Sequence, residues 1–264
     1  MMKKKRFLAS LLAGTMLLGL LAGCGSPNGA ESSGPNGGTS AAPGTSDSGG
    51  EGTYVRKTAE GTLTVGLTDT ADSFDPAVSF NSVGMQLVYD SILVKDPFTG
   101  EITSDIAESW DYTDDCTLVI QFRDDVYFSN GEKMTAEDAL YSLNRMITEN
   151  SRWSTFVDAF NFEKSSAEGQ TLTLVTDEPF GPGLNYLTTR YASVLCKSYA
   201  ESCSDEDFWD KPVGTGPYEC KENVSGSHST YTAKADYWGE VPEISTITTR
   251  YYAEQSSMML DYEN

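Results

Sequence analysis

Apolar residues alternate with polar residues in several short segments after residue 60. In residues 62–68, Leu63, Val65 and Leu67 alternate with Thr and Gly, and this pattern predicts a strand with one buried face. The same pattern predicts a hairpin over residues 110–122 and strands at residues 171–176, 218–221, 230–233 and 245–252.

Two other segments repeat their apolar residues at helical spacing. Residues 81–92 carry apolar side chains on one side. The clearest helix is predicted for residues 136–148, where Thr135 stands at the N-cap position. Acidic residues follow in the first turn, where the helix dipole favours negative charge. Because helices and strands are mixed without a strict βαβ order, the pattern predicts a mixed α/β fold.

Pro, Gly and Asn mark turns between these elements. Residues 96–100 read Asp-Pro-Phe-Thr-Gly, and Asn130 precedes Gly131; both sequences predict turns. Residues 214–217, Gly-Thr-Gly-Pro, resemble a phosphate-binding loop only superficially, since Pro217 would break the helix that such a loop requires. The favoured interpretation is a tight chain reversal before a strand. For Tyr237 and Trp238, a packed corner of the core is favoured over an aromatic platform for a ligand.

The N-terminus has the pattern of an export signal. Residues 3–6 are basic, and the apolar run of residues 7–21 is shorter than the roughly 20 residues that span a bilayer as a helix. Small residues and Cys24 follow, which is typical of a secretory signal and resembles the lipobox of bacterial lipoproteins. Residues 1–24 are therefore interpreted as a lipoprotein signal peptide, with Cys24 as the lipidation site. An ordinary signal peptide with an incidental cysteine is the alternative.

Residues 25–56 are interpreted as a disordered Gly/Ser-rich tether. Almost all of residues 25–52 are Gly, Ser, Pro, Thr, Asn, Ala or acidic, so the segment cannot bury enough apolar surface to fold. We expect a mean reach of about 30 Å for a flexible chain of this length. The folded part is then residues 57–264.

Charge and residue types exclude several classes of function. The chain carries 18 Lys+Arg and 39 Asp+Glu, a net charge of −21, and phosphate backbones repel such a surface, which argues against nucleic acid as a partner. The single histidine, His228, has serine neighbours, but a Ser-His pair along one loop does not provide the geometry of a hydrolase. No zinc-type spacing occurs. We therefore expect no enzyme activity, no metal and no cofactor.

Four cysteines follow Cys24. Disulfides are permitted outside the cytoplasm, and proximity along the chain suggests Cys196–Cys203 or Cys203–Cys220 as first pairings. Free thiols are the alternative that the sequence leaves open. The four residues are Cys116, Cys196, Cys203 and Cys220.

Several segments, in chain order, resemble one family. They are residues 106–110 (IAESW), 121–123 (QFR), 126–139 (VYFSNGEKMTAEDA), 141–145 (YSLNR), 212–218 (PVGTGPY) and 237–238 (YW). Together they resemble the oligopeptide/dipeptide-binding family of extracellular solute-binding proteins of ABC transporters, family 5. The resemblance covers roughly residues 62–264.

The resemblance implies an α/β fold, the first lobe of a type II periplasmic-binding protein with an inserted subdomain. The core of the lobe would comprise residues 57–82 and 211–264, and the inserted subdomain residues 83–210. Family members are longer than this chain, so a second lobe is expected to be missing from it, and the chain is expected to be a truncated product or part of a longer one.

The resemblance also implies ligand-binding residues. By position, the first ligand-contacting loop would contain Ser79, Phe80, Asn81 and Ser82, and Trp153 can face the cleft after the long helix. A surface-loop interpretation is the alternative for both segments. The acidic residue that receives the peptide amino terminus in peptide-binding members is carried onto no residue here.

The implied function is that of a lipid-anchored, extracellular substrate-binding component of an ABC importer, with peptides as the first choice of solute. Expected partners are a small peptide or another small solute, ABC permease subunits, and the membrane through the lipid anchor; the soluble part is expected to be a monomer. The expected location is the extracytoplasmic face of the cell membrane, in the periplasm if the cell has two membranes. The alternatives are a tethered cell-surface binding or signalling lipoprotein without transport, and a secreted hydrolase.

Overall fold

The computed structural model describes residues 60–68, 73–78, 82–149, 151–202 and 211–263. The predicted signal peptide with Cys24 and the predicted tether lie outside the described residues. In the part of the chain that is described, no helix has the length and apolar character needed to cross a bilayer.

The first sheet joins the start of the folded region to its end. Strand β1 (Thr62–Leu67) pairs in parallel with β10 (Thr246–Tyr251), followed by β9 (His228–Ala233) and β8 (Tyr218–Val224) in antiparallel order. One face of this sheet packs on helix α1 (Ser82–Val88). The buried residues between them are Phe74, Met85, Val88, Tyr89, Leu195, Tyr218, Tyr231 and Ile247.

The second sheet lies in the middle of the chain. Its strands are β4 (Ala107–Asp114), β5 (Thr117–Phe122), β6 (Ser166–Glu168) and β7 (Thr171–Val175). They lie in the order β4-β5-β7-β6 with antiparallel pairings throughout, and the sheet packs on helix α2 (Ala136–Thr148). Alternate residues of β5 are buried, as expected for a strand with one face on a core.

Shorter elements complete the described fold. A two-stranded sheet consists of β2 (Leu93–Lys95) and β3 (Ile102–Ser104). Two single 3-10 turns, Ser154–Phe156 and Arg190–Ala192, lie on either side of β6 and β7 in the chain. The remaining helices are α3 (Gly183–Leu187), α4 (Lys197–Ser202) and α5 (Gln255–Tyr262).

The strands and turns predicted from the sequence are confirmed, with end shifts of a few residues. The helix predicted for residues 81–92 is shorter, because α1 ends at Val88. The carbonyl of Val88 accepts a hydrogen bond of 2.8 Å from the N–H of Gly216 instead of continuing the helical ladder. Soon afterwards, Leu93 already begins β2, so a packing contact with a distant part of the chain overrides the helical pattern.

The predicted N-cap of α2 is confirmed, and the structure adds a second partner. The carboxylate of Asp138 accepts hydrogen bonds of 2.9 Å from both the N–H and the hydroxyl of Thr135. Its other oxygen accepts a bond of 2.9 Å from the N–H of Lys197. One acidic residue thus caps α2 and ties α4 to its first turn.

Tyr237 and Trp238 form a packed corner, as the favoured interpretation predicted. Tyr237 donates a hydrogen bond of 3.0 Å and Trp238 one of 2.9 Å to the two carboxylate oxygens of Asp90. Asp90 is buried two residues after the end of α1, so both half-buried aromatic side chains are tied to a buried group of the fold.

Among the described cysteines, Cys116 and Cys196 are free thiols. The suggested pairing Cys196–Cys203 is therefore not formed, and the free-thiol alternative holds for Cys116 and Cys196. The suggested pairing Cys203–Cys220 stays a prediction. Cys203 itself lies outside the described residues.

The loop of residues 214–217 has the scaffold role predicted for it. It packs against the end of α1 so closely that a Cβ on Gly214 would lie 2.1 Å from the carbonyl oxygen of Val88. Thr215 is fully buried, and its hydroxyl oxygen accepts a hydrogen bond of 3.3 Å from the N–H of Asp90. Glycine is required here for close backbone approach rather than for phosphate binding.

Gly216→Ala tests this contact. The new Cβ would lie 2.5 Å from the carbonyl carbon of Val88, so backbone must move, and we expect a loss of about 1–3 kcal/mol in the free energy of unfolding. Gly181→Ala is the matched control, since nothing lies within 4 Å of the position that its Cβ would take. Urea denaturation of both variants measures the difference. Equal stability of the two variants would contradict the packing role of the loop.

Candidate ligand-binding site

The site is built around the segment of residues 73–78, which ends next to the predicted ligand loop. Asp75 is fully buried and its carboxylate forms an ion pair with Arg145 in the last turn of α2. The same carboxylate accepts a hydrogen bond of 2.8 Å from the N–H of Ala77, and the N–H of Asp75 donates one of 2.9 Å to the hydroxyl of Ser73. The segment is thereby fixed as a compact turn against the end of α2.

Burial opposes the charge on Asp75. Burial raises the pKa of its carboxyl above the ordinary value of 3.8, while the charge and hydrogen bonds of Arg145 and the N–H of Ala77 lower it. Desolvation also opposes the charge on Arg145, but the charge and hydrogen bond of Asp75 outweigh it and raise the pKa of the guanidinium. The ionised form of Asp75 therefore depends on Arg145.

Ser151 links this segment to Trp153. Its hydroxyl donates a hydrogen bond to the carbonyl of Ala77 and accepts one of 3.1 Å from the N–H of Trp153. Its own N–H donates a bond of 3.1 Å to the carbonyl of Met146 in α2. The described flanks of the two predicted ligand segments are thus hydrogen-bonded to each other.

Trp153 belongs to a set of five half-buried aromatic residues, which we call the aromatic wall. Trp153 stacks on Tyr191 with ring centroids 4.7 Å apart, and Tyr191 stacks on Phe156 at 5.0 Å. Tyr186 meets the edge of Phe156 at 5.1 Å and lies 5.4 Å from Phe180. Each residue of the wall keeps part of its surface in solvent.

Two short turns bring these rings together. Trp153 precedes the 3-10 turn Ser154–Phe156, and its carbonyl accepts a hydrogen bond of 3.0 Å from the N–H of Phe156. Side chains three residues apart eclipse in a 3-10 turn, so Trp153 and Phe156 point the same way. The second turn, Arg190–Ala192, presents Tyr191 between them.

The structure describes only some of the residues that were predicted to bind ligand. Ser79, Phe80 and Asn81 lie outside the described residues. Ser82 begins α1, and its side chain is likewise outside the description. Trp153 lies on the aromatic wall. Its other members were not predicted: Phe156 belongs to the turn that follows Trp153, and the remaining three come from segments that are distant in the chain.

No group of three or more metal-binding side chains occurs in the described ranges. His228 has the geometry of a paired surface histidine and not that of a hydrolase, as expected: its Nε2 lies 3.3 Å from a carboxylate oxygen of Glu222. Ser227 instead contacts Nδ1 at 3.1 Å, which reverses the roles of the two ring nitrogens in a serine hydrolase. All three side chains belong to the β8–β9 hairpin.

An open cavity of about 920 Å³ lies on the first sheet, between the β8–β9 hairpin, β10 and α5. Its arginine is already paired, since Arg250 forms an ion pair of 3.0 Å with Asp261. The aromatic wall, with partly exposed rings beside an anchored segment, is the better candidate for binding a small solute.

The fold of the described residues is that of an extracellular solute-binding protein. Residues 101–264 match the family model described as bacterial extracellular solute-binding proteins, family 5 Middle. The chain belongs to this family, as the sequence motifs predicted, and its fold is the mixed α/β fold of type II periplasmic-binding proteins.

Individual proteins and a solved structure are also similar to the chain. It is 28% identical over 177 residues to the probable ABC transporter periplasmic-binding protein SapA of Escherichia coli, covering 58% of this chain and 32% of that protein. It is 24% identical over 172 residues to the dipeptide-binding protein of E. coli, covering 56% of this chain and 32% of that protein. The crystal structure of a nickel ABC transporter protein from Bacillus halodurans superposes with a TM-score of 0.68 and 27% identity, over 77% of this chain and 41% of that structure. The chain thus spans about a third of the length of the curated relatives that it matches.

Arg145→Met tests the anchor of residues 73–78. Removing one partner of a buried ion pair lowers the free energy of unfolding by about 3–5 kcal/mol. We expect a loss at the lower end of this range, because Asp75 can take up a proton and so avoid an unpaired buried charge. The folded-state pKa of Asp75 then rises further above its unfolded value, so the variant should lose stability as pH rises. Urea denaturation at acidic and alkaline pH measures both effects.

Lys164→Met provides the control, because the pair Lys164–Asp177 is mostly exposed and should contribute less than about 1 kcal/mol. If Arg145→Met lowered the free energy of unfolding no more than Lys164→Met does, the anchoring role of Arg145 would be contradicted.

Proposed function

We propose that the chain is the lipid-anchored, extracytoplasmic substrate-binding component of an ABC importer, and that it takes a short peptide or another small solute against the aromatic wall. The observation that carries this proposal is the aromatic wall itself, held beside an anchored segment on a fold of the solute-binding family. Flat, half-exposed rings favour flat solute groups such as peptide planes and side-chain rings, because stacking adds to the burial of apolar area.

The names of the relatives support the choice of solute. One relative is a dipeptide-binding protein, and a solved neighbour belongs to a nickel ABC transporter. Peptides are the first choice, because a wall made mainly of aromatic surface accepts varied side chains. Binding itself requires no chemical step, which agrees with a family of binding proteins rather than enzymes.

The anchor and tether explain where such a protein would work. A diacylglycerol on Cys24 would contribute roughly 0.8 kcal/mol for each buried methylene. The tether of residues 25–56 would let the folded part reach solutes and the permease subunits. We propose that it acts as a monomer on the outer face of the cell membrane, or in the periplasm if the cell has two membranes.

Fluorescence of the intact chain in mild detergent tests this proposal. Titration with di-, tri- and tetrapeptides and with a nickel–histidine chelate should give a saturable emission change for at least one probe. The change should disappear in Trp153→Phe, because the indole on the aromatic wall reports contact with the solute.

Trp110→Phe is the matched control, since Trp110 pairs with Ile120 within the β4–β5 hairpin and should leave the response intact. Absence of saturable binding by every probe, or a response that disappears with Trp110 and not with Trp153, would overturn the proposed site.

A further inference from the structure

Two acidic side chains, those of Asp90 and Asp105, come together where the first sheet meets the middle of the chain. Asp90 follows α1, and Asp105 follows β3. The pairing of Leu93 with Ser104 in the β2–β3 hairpin places Asp105 opposite the residues just before β2. There the N–H of Ser91 donates a hydrogen bond to the carboxylate of Asp105. The open end of one short hairpin therefore carries both acidic residues.

Side chains from other elements face this pair. Tyr237, in the connection between β9 and β10, donates to Asp90 as a neutral phenol. Lys234, directly after β9, acts on Asp90 through its charge, but its ammonium donates to two backbone carbonyls at 3.3 and 3.4 Å. The other acidic residues that act on Lys234 are Glu219 and Asp236.

Arg123, directly after β5, also faces this junction but is already paired. It acts on Tyr237 through its charge and forms an ion pair of 2.8 Å with Asp125. In the described ranges, no cation forms an ion pair with Asp90 or Asp105. The two carboxylates are therefore without a neutralising partner in this part of the chain.

Such a pair favours retention of one proton. Two like charges that interact in a partly buried site oppose each other's ionisation, and the proton then belongs to the pair. Burial, and after it the charge of Asp90, raises the pKa of Asp105 to about 7, against the hydrogen bond from Ser91. Burial likewise raises the pKa of Asp90, while its side-chain donors lower it. The last ionisation of the pair thus falls near neutral pH.

The same residues hold the turn that carries part of the aromatic wall. The hydroxyl of Ser91 donates a hydrogen bond of 3.1 Å to the carbonyl of Thr189. The carbonyl of Asp90 accepts a bond of 3.3 Å from the N–H of Val194. These two contacts lie on either side of the 3-10 turn Arg190–Ala192. A change of charge beside Ser91 therefore acts where this turn is attached.

We propose that Asp90 and Asp105 hold one proton between them and form a pH-sensitive latch, which attaches the turn of the aromatic wall to the end of α1. With the proton present, the pair carries a single negative charge and the latch is closed. When the proton is lost, two carboxylates repel each other beside Ser91 and the attachment weakens. The latch is a property of the fold, and it stands whether or not the wall binds a peptide.

Proton uptake by Asp105 favours the folded chain, because its pKa is higher there than in the unfolded chain. The stabilisation is complete below the ordinary pKa of 3.8 and is lost as pH rises through about 7. The fold should therefore be less stable at pH 8 than at pH 5. An ion-paired carboxylate would give the opposite dependence.

Asp105→Asn mimics the protonated side chain and tests the latch. In urea denaturation of the intact chain, the folding equilibrium constant should fall about tenfold or more between pH 5 and pH 8, since each unit of pKa shift corresponds to a factor of about ten. In Asp105→Asn most of this fall should be absent. A variant that keeps the whole fall would overturn the inference.

Asp96→Asn is the matched control, because it makes the same change in the turn of the same hairpin. Hydrogen bonds from the N–H groups of Thr99 and Phe98 lower the pKa of Asp96, so its carboxylate stays ionised throughout this pH range. The control should show the pH dependence of the unaltered chain. Equal loss of the pH dependence in both variants would contradict a specific role of Asp105.

Hydrogen exchange tests whether the turn of the wall responds. The unaltered chain and Asp105→Asn are compared at the same pH, so that intrinsic exchange rates cancel. Residues 189–194 should exchange several times faster in the unaltered chain at pH 8 and equally at pH 5, with a smaller difference in α2. No difference at pH 8, or one of equal size in α2, would overturn the latch.

Carbon NMR of the aspartate carboxyl groups provides a test that needs no variant. In the unaltered chain, at least one carboxyl signal should titrate near neutral pH. If every aspartate carboxyl of the folded chain titrated below pH 5, the pair would hold no proton at neutral pH and the inference would be wrong, even if Asp105→Asn failed to fold.

Discussion

The burial of the Asp90 carboxylate is the constraint on which the described fold depends. Burial raises the pKa of Asp90 above its ordinary value, and hydrogen bonds from Trp238, Tyr237 and Thr215 oppose that shift. A buried carboxylate without such donors would be strongly unfavourable, so the segments that supply them must meet at this point. They come from the loop before β8 and from the connection between β9 and β10, and Asp90 itself follows α1. The first sheet and the middle of the chain are thereby held in one arrangement.

The same junction sets the position of the aromatic wall. The carbonyl of Asp90 accepts a hydrogen bond of 3.3 Å from the N–H of Val194, and Ser91 forms a bridge with Ser193, directly after the turn that carries Tyr191. On the other side, Ser151 joins Trp153 to the segment anchored by Asp75. A wall held by directional hydrogen bonds from both sides keeps its rings in place before a solute arrives, which reduces the cost of ordering them on binding.

Much of the fold could be predicted from the sequence, since β1, β5 and α2 follow local periodicity and capping. The end of α1 could not, because it depends on a contact between Val88 and Gly216, which are distant in the chain. For the site, the motifs pointed to Trp153 by resemblance. They could not indicate Tyr191, because stacking between side chains of separate turns is visible only in three dimensions.

Native mass spectrometry of the chain, extracted from membranes of its source cells, is the decisive test of a lipid-anchored protein that holds a small solute. We predict a diacylglycerol on Cys24 and one non-covalently bound small molecule per folded chain, released on gentle activation. Folded protein found in the soluble fraction with an unmodified Cys24 would contradict the lipid anchor. Absence of a bound molecule from that folded protein would contradict the binding of a small solute.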